Sequence, residues 1–194
     1  MRRITLQMYI TLDGINEFPE YPGSGDPPAG EEDPIAIEMW VKNWESTDTL
    51  LFDEETYGQW ADFWPSSKRR ETEQSFYHEM SRFAEKAQKV IFSDTLKEAS
   101  WANSRILKGD IGSGIDQLRM ERGRDMALVA PSLAQRFMGL GLIDDYFLTL
   151  FPVILGKGRS LFDRLERQQT LQLVEAKHFK HGEVFLHYQT IRSQ

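Results

Sequence analysis

The sequence predicts an α/β domain in which helices flank a mixed central sheet. Short apolar runs alternate with segments of helical periodicity along most of the chain, and two runs of alternating polarity follow at 170–177 and 183–190, with a glycine between them. The first feature is typical of strands joined by crossover helices, and the second of an antiparallel hairpin. We expect a single domain over residues 1–194, since a chain of this length buries roughly 70% of its unfolded surface.

The other strands are predicted from short apolar stretches. Alternating side chains at 4–10 indicate the first strand, and the turn Leu12-Asp13-Gly14 ends it. Pro131 ends a later apolar run, because proline donates no backbone hydrogen bond. The strands predicted before the hairpin are 4–10, 49–52, 89–93, 104–108, 125–130 and a run that ends at Phe151.

Helices are predicted where apolar residues recur every three or four positions. In the clearest case Ser132 is predicted to be the N-cap, Gln135 completes a capping box and Gly141 ends the helix. The apolar face of this helix is predicted to consist of Leu133, Phe137 and Leu140. Further helical faces are predicted at 37–44, 76–87 and 111–118.

The segment 16–34 is rich in proline, glycine and glutamate and is predicted to be a long exposed loop. A loop of this length in a compact domain is usually a functional lid or a mobile insertion. The sequence therefore marks 16–34 as the one long break in an otherwise regular pattern of strands and helices.

Composition argues against several classes of partner. The chain has 23 basic and 30 acidic residues and a formal net charge of −7, which disfavours binding to nucleic acid. It has no apolar run of the roughly 18 residues that a membrane helix needs. The absence of cysteine excludes disulfides and thiolate chemistry, and we expect a cytoplasmic protein. No metal site is expected, because His178 and His181 flank a predicted turn without a third ligand.

Four predicted strand ends carry polar turns, where open α/β sheets bind ligands. These turns are Thr11–Gly14, Asp53–Thr56, Ser93–Leu96 and Ala130–Ser132, and a glycine-rich segment follows at Gly141–Phe162. The set resembles the C-terminal RibD family, the riboflavin-pathway reductases built like dihydrofolate reductase, over nearly the whole chain. Those proteins carry Ser-Leu-Asp-Gly, Gly-Arg-x-Thr, Ser-x-Thr-Leu and Gly-Gly turns and a Pro-x-x-Leu-Gly-x-Gly loop. The resemblance implies a dihydrofolate reductase-like single domain.

The resemblance also implies an activity. A reductase of this kind uses NADPH or NADH to reduce a small heterocyclic or ribosylaminopyrimidine-type substrate, as 5-amino-6-(5-phosphoribosylamino)uracil reductase does in riboflavin biosynthesis. Asp13 is the implied catalytic residue, since a carboxylate there can accept hydrogen bonds from ring amino groups and position a proton donor. The implied substrate-binding residues are Thr11, Asp13, Gly14, Gly156, Lys157 and Gly158. The implied cofactor-binding residues are Thr56, Ser93, Asp94, Thr95, Leu96, Ala130, Pro131 and Ser132.

The cofactor side departs from the family pattern. Asp53, Glu54 and Glu55 replace the glycine and the basic residue of the second turn, and Asp94 lies where a basic or small hydroxyl residue favours a 2′-phosphate. Because like charges repel, these acids tilt the cofactor preference from NADPH towards NADH. Ala130-Pro131 replaces a glycine pair whose peptide bond is typically cis in such folds, and we expect a cis bond here too.

Alternatives remain open on both sides of the site. Asp13-Gly14 can be an ordinary turn without a ligand, and the segment Gly156–Gly158 can be a turn with a solvated lysine. The whole chain can also be a non-catalytic binding or interaction module that lost its nicotinamide cofactor.

The family resemblance further implies a homodimer. Aromatic residues expected at the surface favour the same conclusion: Tyr146, Phe147, Phe151 and Phe185.

Overall fold

The computed structural model describes residues 1–16, 42–71, 73, 75–163, 165 and 168–191. The loop predicted at 16–34 lies outside the described residues except for Asn16. Most of the helical face predicted at 37–44 also lies outside them, and residues 42–45 are helical.

The described residues form eight strands, paired in parallel and antiparallel, and four complete α-helices, which confirms the predicted α/β fold class. Every predicted strand is present, with ends that differ by a few residues. The strands are β1 (Ile4–Thr11), β2 (Thr47–Asp53), β3 (Gln88–Phe92), β4 (Ser104–Leu107), β5 (Asp125–Leu128), β6 (Asp145–Phe151), β7 (Leu171–His178) and β8 (Val184–Thr190). The helices are α1 (Glu54–Phe63), α2 (Ser75–Lys86), α3 (Ile111–Met120) and α4 (Pro131–Gly139).

The first compact unit consists of residues 1–4 and 43–133. Its strands pair in parallel in the order β4-β3-β2-β5. Leu50, Leu51 and Phe52 of β2 are all buried, so this strand faces apolar neighbours on both sides. Burial on both faces explains why β2 is apolar without alternation, as in other parallel sheets.

The second unit consists of residues 5–42 and 134–194. In it β1 pairs in parallel with β6, whereas β6-β8 and β8-β7 are antiparallel. The predicted C-terminal hairpin is thus confirmed, and Gly182 adopts a φ of 95° in its turn. The pairing of β7 with β8 shifts in register between Leu173 and Glu175, which marks a β-bulge on β7.

Helix α4 begins two residues earlier than predicted, because an N-cap at Ser132 would place the first helical residue at Leu133. Pro131 is its first residue, where a fixed φ suits the helix and the missing N–H costs nothing. Ser132 is therefore not the N-cap, and the predicted capping box is wrong. The Oγ of Ser132 donates to Asp53, and the side-chain amide of Gln135 donates to the carbonyl of Ser160. Gly141 closes the helix at a φ of 65°, as predicted.

Two further expectations about this region are wrong. The Ala130–Pro131 peptide bond is trans, because proline enters directly into the first turn of α4. Leu140 is 56% exposed, since it lies beyond the last residue of the helix, whereas Leu133 and Phe137 are buried.

Candidate functional site

The turn after β1 is held together by its own side chains. Thr11, which is 1% exposed, donates from Oγ1 to Asp13 Oδ1 over 2.5 Å and accepts from the backbone N–H of Ile15 over 3.0 Å. Gly14 adopts a φ of 78°, a conformation that side-chain-bearing residues rarely take. Its N–H donates to the carbonyl of Thr11. Three of the predicted substrate-side residues, Thr11, Asp13 and Gly14, thus form one closed turn.

The same turn is bonded to the glycine-rich segment that follows β6. Asp13 Oδ2 accepts from the backbone N–H of Gly156 over 2.8 Å and from that of Leu155 over 3.2 Å. The hydroxyl of Thr11 and the N–H of Gly156 hold the pKa of the Asp13 carboxyl below its usual value. Asp13 is therefore a fixed, ionised acceptor at the surface, suited to orienting a ligand rather than to donating a proton.

Asp13 bonds to Gly156, whereas Lys157 is exposed and has no comparable partner among the residues that the structure describes. Gly156 and Gly158 both have positive φ, at 72° and 134°, which explains the two glycines around this lysine. The ammonium of Lys157 therefore stands on a defined turn, next to the residue that Asp13 anchors.

The first turn of α1 is capped by an acidic residue rather than open to a ligand. Asp53 is the N-cap, and its Oδ1 accepts from the N–H of Thr56 over 2.6 Å. Its Oδ2 accepts from the hydroxyl of Ser132. Two donors that the resemblance assigns to the cofactor, on Thr56 and Ser132, are thus bonded to a carboxylate of this chain.

A second carboxylate occupies the turn after β3. The hydroxyls of Ser93 and Thr95 both donate to Glu54 Oε2, each over 2.6 Å. These two hydroxyls hold the pKa of the Glu54 carboxyl below its usual value. Ser93 Oγ also accepts from the N–H of Leu96 over 2.9 Å. Sequence reasoning treated Glu54 only as a repelling charge and missed this contact.

Asp94, which the resemblance assigns to the cofactor, bonds to the turn after β4. Its Oδ1 accepts from the backbone N–H of Gly109 over 2.9 Å, at a turn where Gly109 has a φ of 86°. The carboxylate that meets the hydroxyls of Ser93 and Thr95 is that of Glu54. This contact follows from the pairing of Asp53 with Phe92 in the parallel β2-β3 ladder. The residues that come next, Glu54 and Ser93, therefore leave the sheet side by side at its carboxyl edge.

The remaining predicted cofactor residues offer little to a ligand. Ala130 is fully buried, and its carbonyl accepts from the N–H of Leu133 at the start of α4. Pro131 has no N–H to donate. Among the residues that the structure describes, no three His, Asp or Glu side chains converge on a possible metal position. No helix within the described ranges is long and apolar enough to cross a bilayer.

Parallel strands joined by helices and followed by an antiparallel C-terminal hairpin give the chain a dihydrofolate reductase-like fold. The model of the RibD C-terminal domain family matches residues 2–185. The chain therefore belongs to the RibD C-terminal domain family.

Known proteins similar to the chain fit this assignment. The uncharacterized protein YyaP of Bacillus subtilis is 28% identical over 195 aligned positions, which cover 96% of this chain and 94% of YyaP. A crystal structure of a putative riboflavin biosynthesis protein from Shewanella matches with a TM-score of 0.73 at 20% identity, covering 99% of this chain and 100% of that one. A pyrimidine reductase-like protein from Corynebacterium diphtheriae matches with a TM-score of 0.65 at 14% identity, covering 99% and 93%. At these identities the two structures support the fold.

Proposed function

We propose that the protein is a reductase that transfers a hydride from a reduced nicotinamide to a small heterocyclic or ribosylaminopyrimidine-type substrate. Membership of the RibD C-terminal domain family supports the reaction class. In such a reaction the nicotinamide is oxidised, and the imine or carbonyl carbon of the substrate gains the hydride while its heteroatom takes a proton. The protein binds and orients the two partners, since the cofactor supplies the reducing chemistry.

The observation that carries this proposal is the fixed carboxylate after β1. Asp13 is exposed, ionised and held by Thr11 and the N–H of Gly156. A carboxylate already oriented by the protein can accept hydrogen bonds from ring amino groups without first being ordered. Lys157, one residue after Gly156, is the side chain that we assign to an acidic or phosphorylated part of the substrate.

The turns of the first unit suit one form of nicotinamide cofactor better than the other. Asp53 and Glu54 accept hydrogen bonds from donors that a phosphate would otherwise use. A carboxylate fits the hydroxyls of an unsubstituted ribose, whereas it repels a phosphate. The residues present therefore fit NADH and do not fit a 2′-phosphate, and we assign Ser93, Thr95 and Glu54 to the cofactor ribose.

A second candidate function is a non-catalytic small-molecule binder that no longer uses nicotinamide. The capping of α1 by Asp53 and the loss of an N–H at Pro131 favour it. The two candidates differ in one property: only the reductase binds a reduced nicotinamide. The net charge of −7 supports a small molecule rather than nucleic acid as the ligand in both cases.

Separate titrations with NADH and NADPH test the proposal, with nicotinamide fluorescence as the signal. A reductase gives saturable binding and then consumes the cofactor when ribosylaminopyrimidines are added. Asp13→Ala is expected to keep cofactor binding and to lose turnover. Absence of saturable binding by either cofactor would reject the reductase and leave the non-catalytic binder.

A further inference from the structure

Two hydroxyl groups of one turn share a single acceptor. Ser93 Oγ and Thr95 Oγ1 lie 3.2 Å apart, and each lies 2.6 Å from Glu54 Oε2. Because a carboxylate oxygen only accepts, both hydroxyl protons are directed at Glu54. Glu54 thus holds both hydroxyl donors of this turn.

The backbone enforces this direction. Ser93 Oγ accepts from the N–H groups of Thr95 and Leu96, over 3.1 and 2.9 Å. Because both lone pairs of the Ser93 oxygen accept hydrogen bonds from these N–H groups, the hydroxyl can only donate in its remaining hydrogen bond. It donates to Glu54. Glu54 is the first residue of α1, directly after the N-cap Asp53, so the helix start fixes where its side chain begins. The carboxylate and the hydroxyl turn are therefore a fixed pair.

We propose that Glu54 is the residue that selects the cofactor, admitting a dinucleotide with free ribose hydroxyls and excluding one with a ribose phosphate. This inference rests on the proposed function. A phosphate placed at the turn would need hydrogen bonds from the two hydroxyls, which already donate to Glu54. The negative charge of Glu54 would also repel it. A neutral diol avoids both penalties, because its own hydroxyls can donate to the carboxylate.

The selection differs in cause from the one that the sequence predicted. Asp94 binds the N–H of Gly109, so its carboxylate is used within the protein. Glu55 is exposed and follows Glu54 in the same helical turn, and the hydroxyls of Ser93 and Thr95 donate to Glu54. Glu55→Ala is therefore a matched control, with the same change in charge and helix propensity at a neighbouring position.

The test is calorimetric titration of NADH, NADPH and inorganic phosphate into the wild-type protein, Glu54→Ala and Glu55→Ala. In Glu54→Ala the affinity for NADPH relative to NADH should rise by about tenfold or more, because one unit of like charge is removed at close range. The same variant should gain affinity for inorganic phosphate, since both hydroxyls then donate outward. Glu55→Ala should change neither quantity by more than about twofold.

The outcomes separate the two proposals. If both cofactors bind, and the affinity for NADPH relative to NADH is the same in Glu54→Ala as in Glu55→Ala, the selecting role of Glu54 is overturned and the reductase stands. If no cofactor binds any variant but Glu54→Ala gains phosphate affinity, the reductase is overturned and the exclusion of anions by Glu54 stands. If Glu54→Ala gains neither, the inference is overturned. Glu54→Gln keeps a hydrogen-bond acceptor but removes the charge. Its affinity for NADPH relative to NADH should lie between those of the wild type and Glu54→Ala.

Discussion

Asp13 accepts a hydrogen bond from the backbone N–H of Gly156 over 2.8 Å, joining residues 143 positions apart. The bond connects the turn after β1 to the glycine-rich segment after β6. Nearby backbone bonds run the same way, from Leu12 to the carbonyl of Val153 and from Leu161 to that of Gly14. Asp13 is therefore as much a determinant of the shape of this segment as a group that faces a ligand.

Replacing Asp13 with alanine should lower the midpoint of urea unfolding, because the N–H groups of Leu155 and Gly156 lose their acceptor. The pKa of Asp13 is lowered in the folded protein, so its contribution is present above its ordinary value of 3.8 and is lost as the pH falls through the folded pKa. Urea unfolding at several pH values should thus show the two proteins converging in acid. A constant difference down to the lowest pH would contradict this role.

Lys89 is fully buried beneath the end of α2. Its Nζ donates to the carbonyls of Ala84 and Ala87 over 2.6 and 2.7 Å, and it lies 4.5 Å from the ring centroid of Trp101. Replacing Lys89 with methionine keeps most of the volume and removes the ammonium group that donates to these carbonyls. We expect a loss of about 1–3 kcal/mol at neutral pH, measured by urea unfolding.

The same pair of proteins should differ in pH dependence. Burial lowers the pKa of Lys89 from 10.5 to about 8, so between these values the unfolded chain binds more protons than the folded one. Stability from this residue therefore rises with pH over that interval. The advantage of the wild type over Lys89→Met should grow from pH 8 towards pH 10.5; an advantage that shrinks over this range would show that Lys89 is not desolvated.

Gly123 lies against the ion pair of buried Arg2 with half-buried Asp48. A Cβ at this position would be 2.8 Å from Arg2 Cζ and 2.9 Å from Asp48 Oδ2, while Arg2 Nη2 binds Asp48 over 2.5 Å. Gly123→Ala should destabilise the protein by about 1–3 kcal/mol because the pair must shift. Gly58→Ala is the control: it lies within α1 with nothing within 4 Å, and it should stabilise by about 0.5–1 kcal/mol. Thermal unfolding of both variants measures the contrast.

Of the two grounds for a homodimer, the family resemblance is untouched, but the aromatic residues expected at the surface are not exposed there. Tyr146, Phe151 and Phe185 are buried, and Phe147 stacks on Phe185. On strand β7, by contrast, Leu173 and Val174 are each 50% exposed. Light scattering at micromolar concentration should give a dimer for the wild type and a monomer for Leu173→Glu if this strand forms the interface. A monomeric wild type would reject the homodimer.

The fold could be predicted from sequence because its signals are local. The apolar run Leu50–Phe52 and the glycine in the hairpin turn each specify an element without reference to the rest of the chain. The start of α4 lies two residues before the predicted one, since Pro131 and Ser132 both suit a helix N-terminus and only the contact of Ser132 with Asp53 decides between them.

The site was predicted less completely, because side-chain partners depend on which strands are neighbours. The motifs located Asp13, Ser93 and Thr95, but not what bonds to them. The contact of Glu54 with Ser93 follows from the β2-β3 pairing, which the sequence does not state. Local patterns gave the positions of polar groups, and tertiary structure determined which of those groups are already satisfied.

We propose that the protein transfers a hydride from reduced nicotinamide to a pyrimidine-type substrate. The most direct measurement uses NADH deuterated at the transferable position, incubated with a panel of ribosylaminopyrimidines and analysed by mass spectrometry. We expect one deuterium in the reduced product, and we expect the Asp13→Ala variant to bind NADH but to transfer no deuterium. Oxidation of NADH without deuterium in any pyrimidine, or no oxidation with any member of the panel, would contradict it.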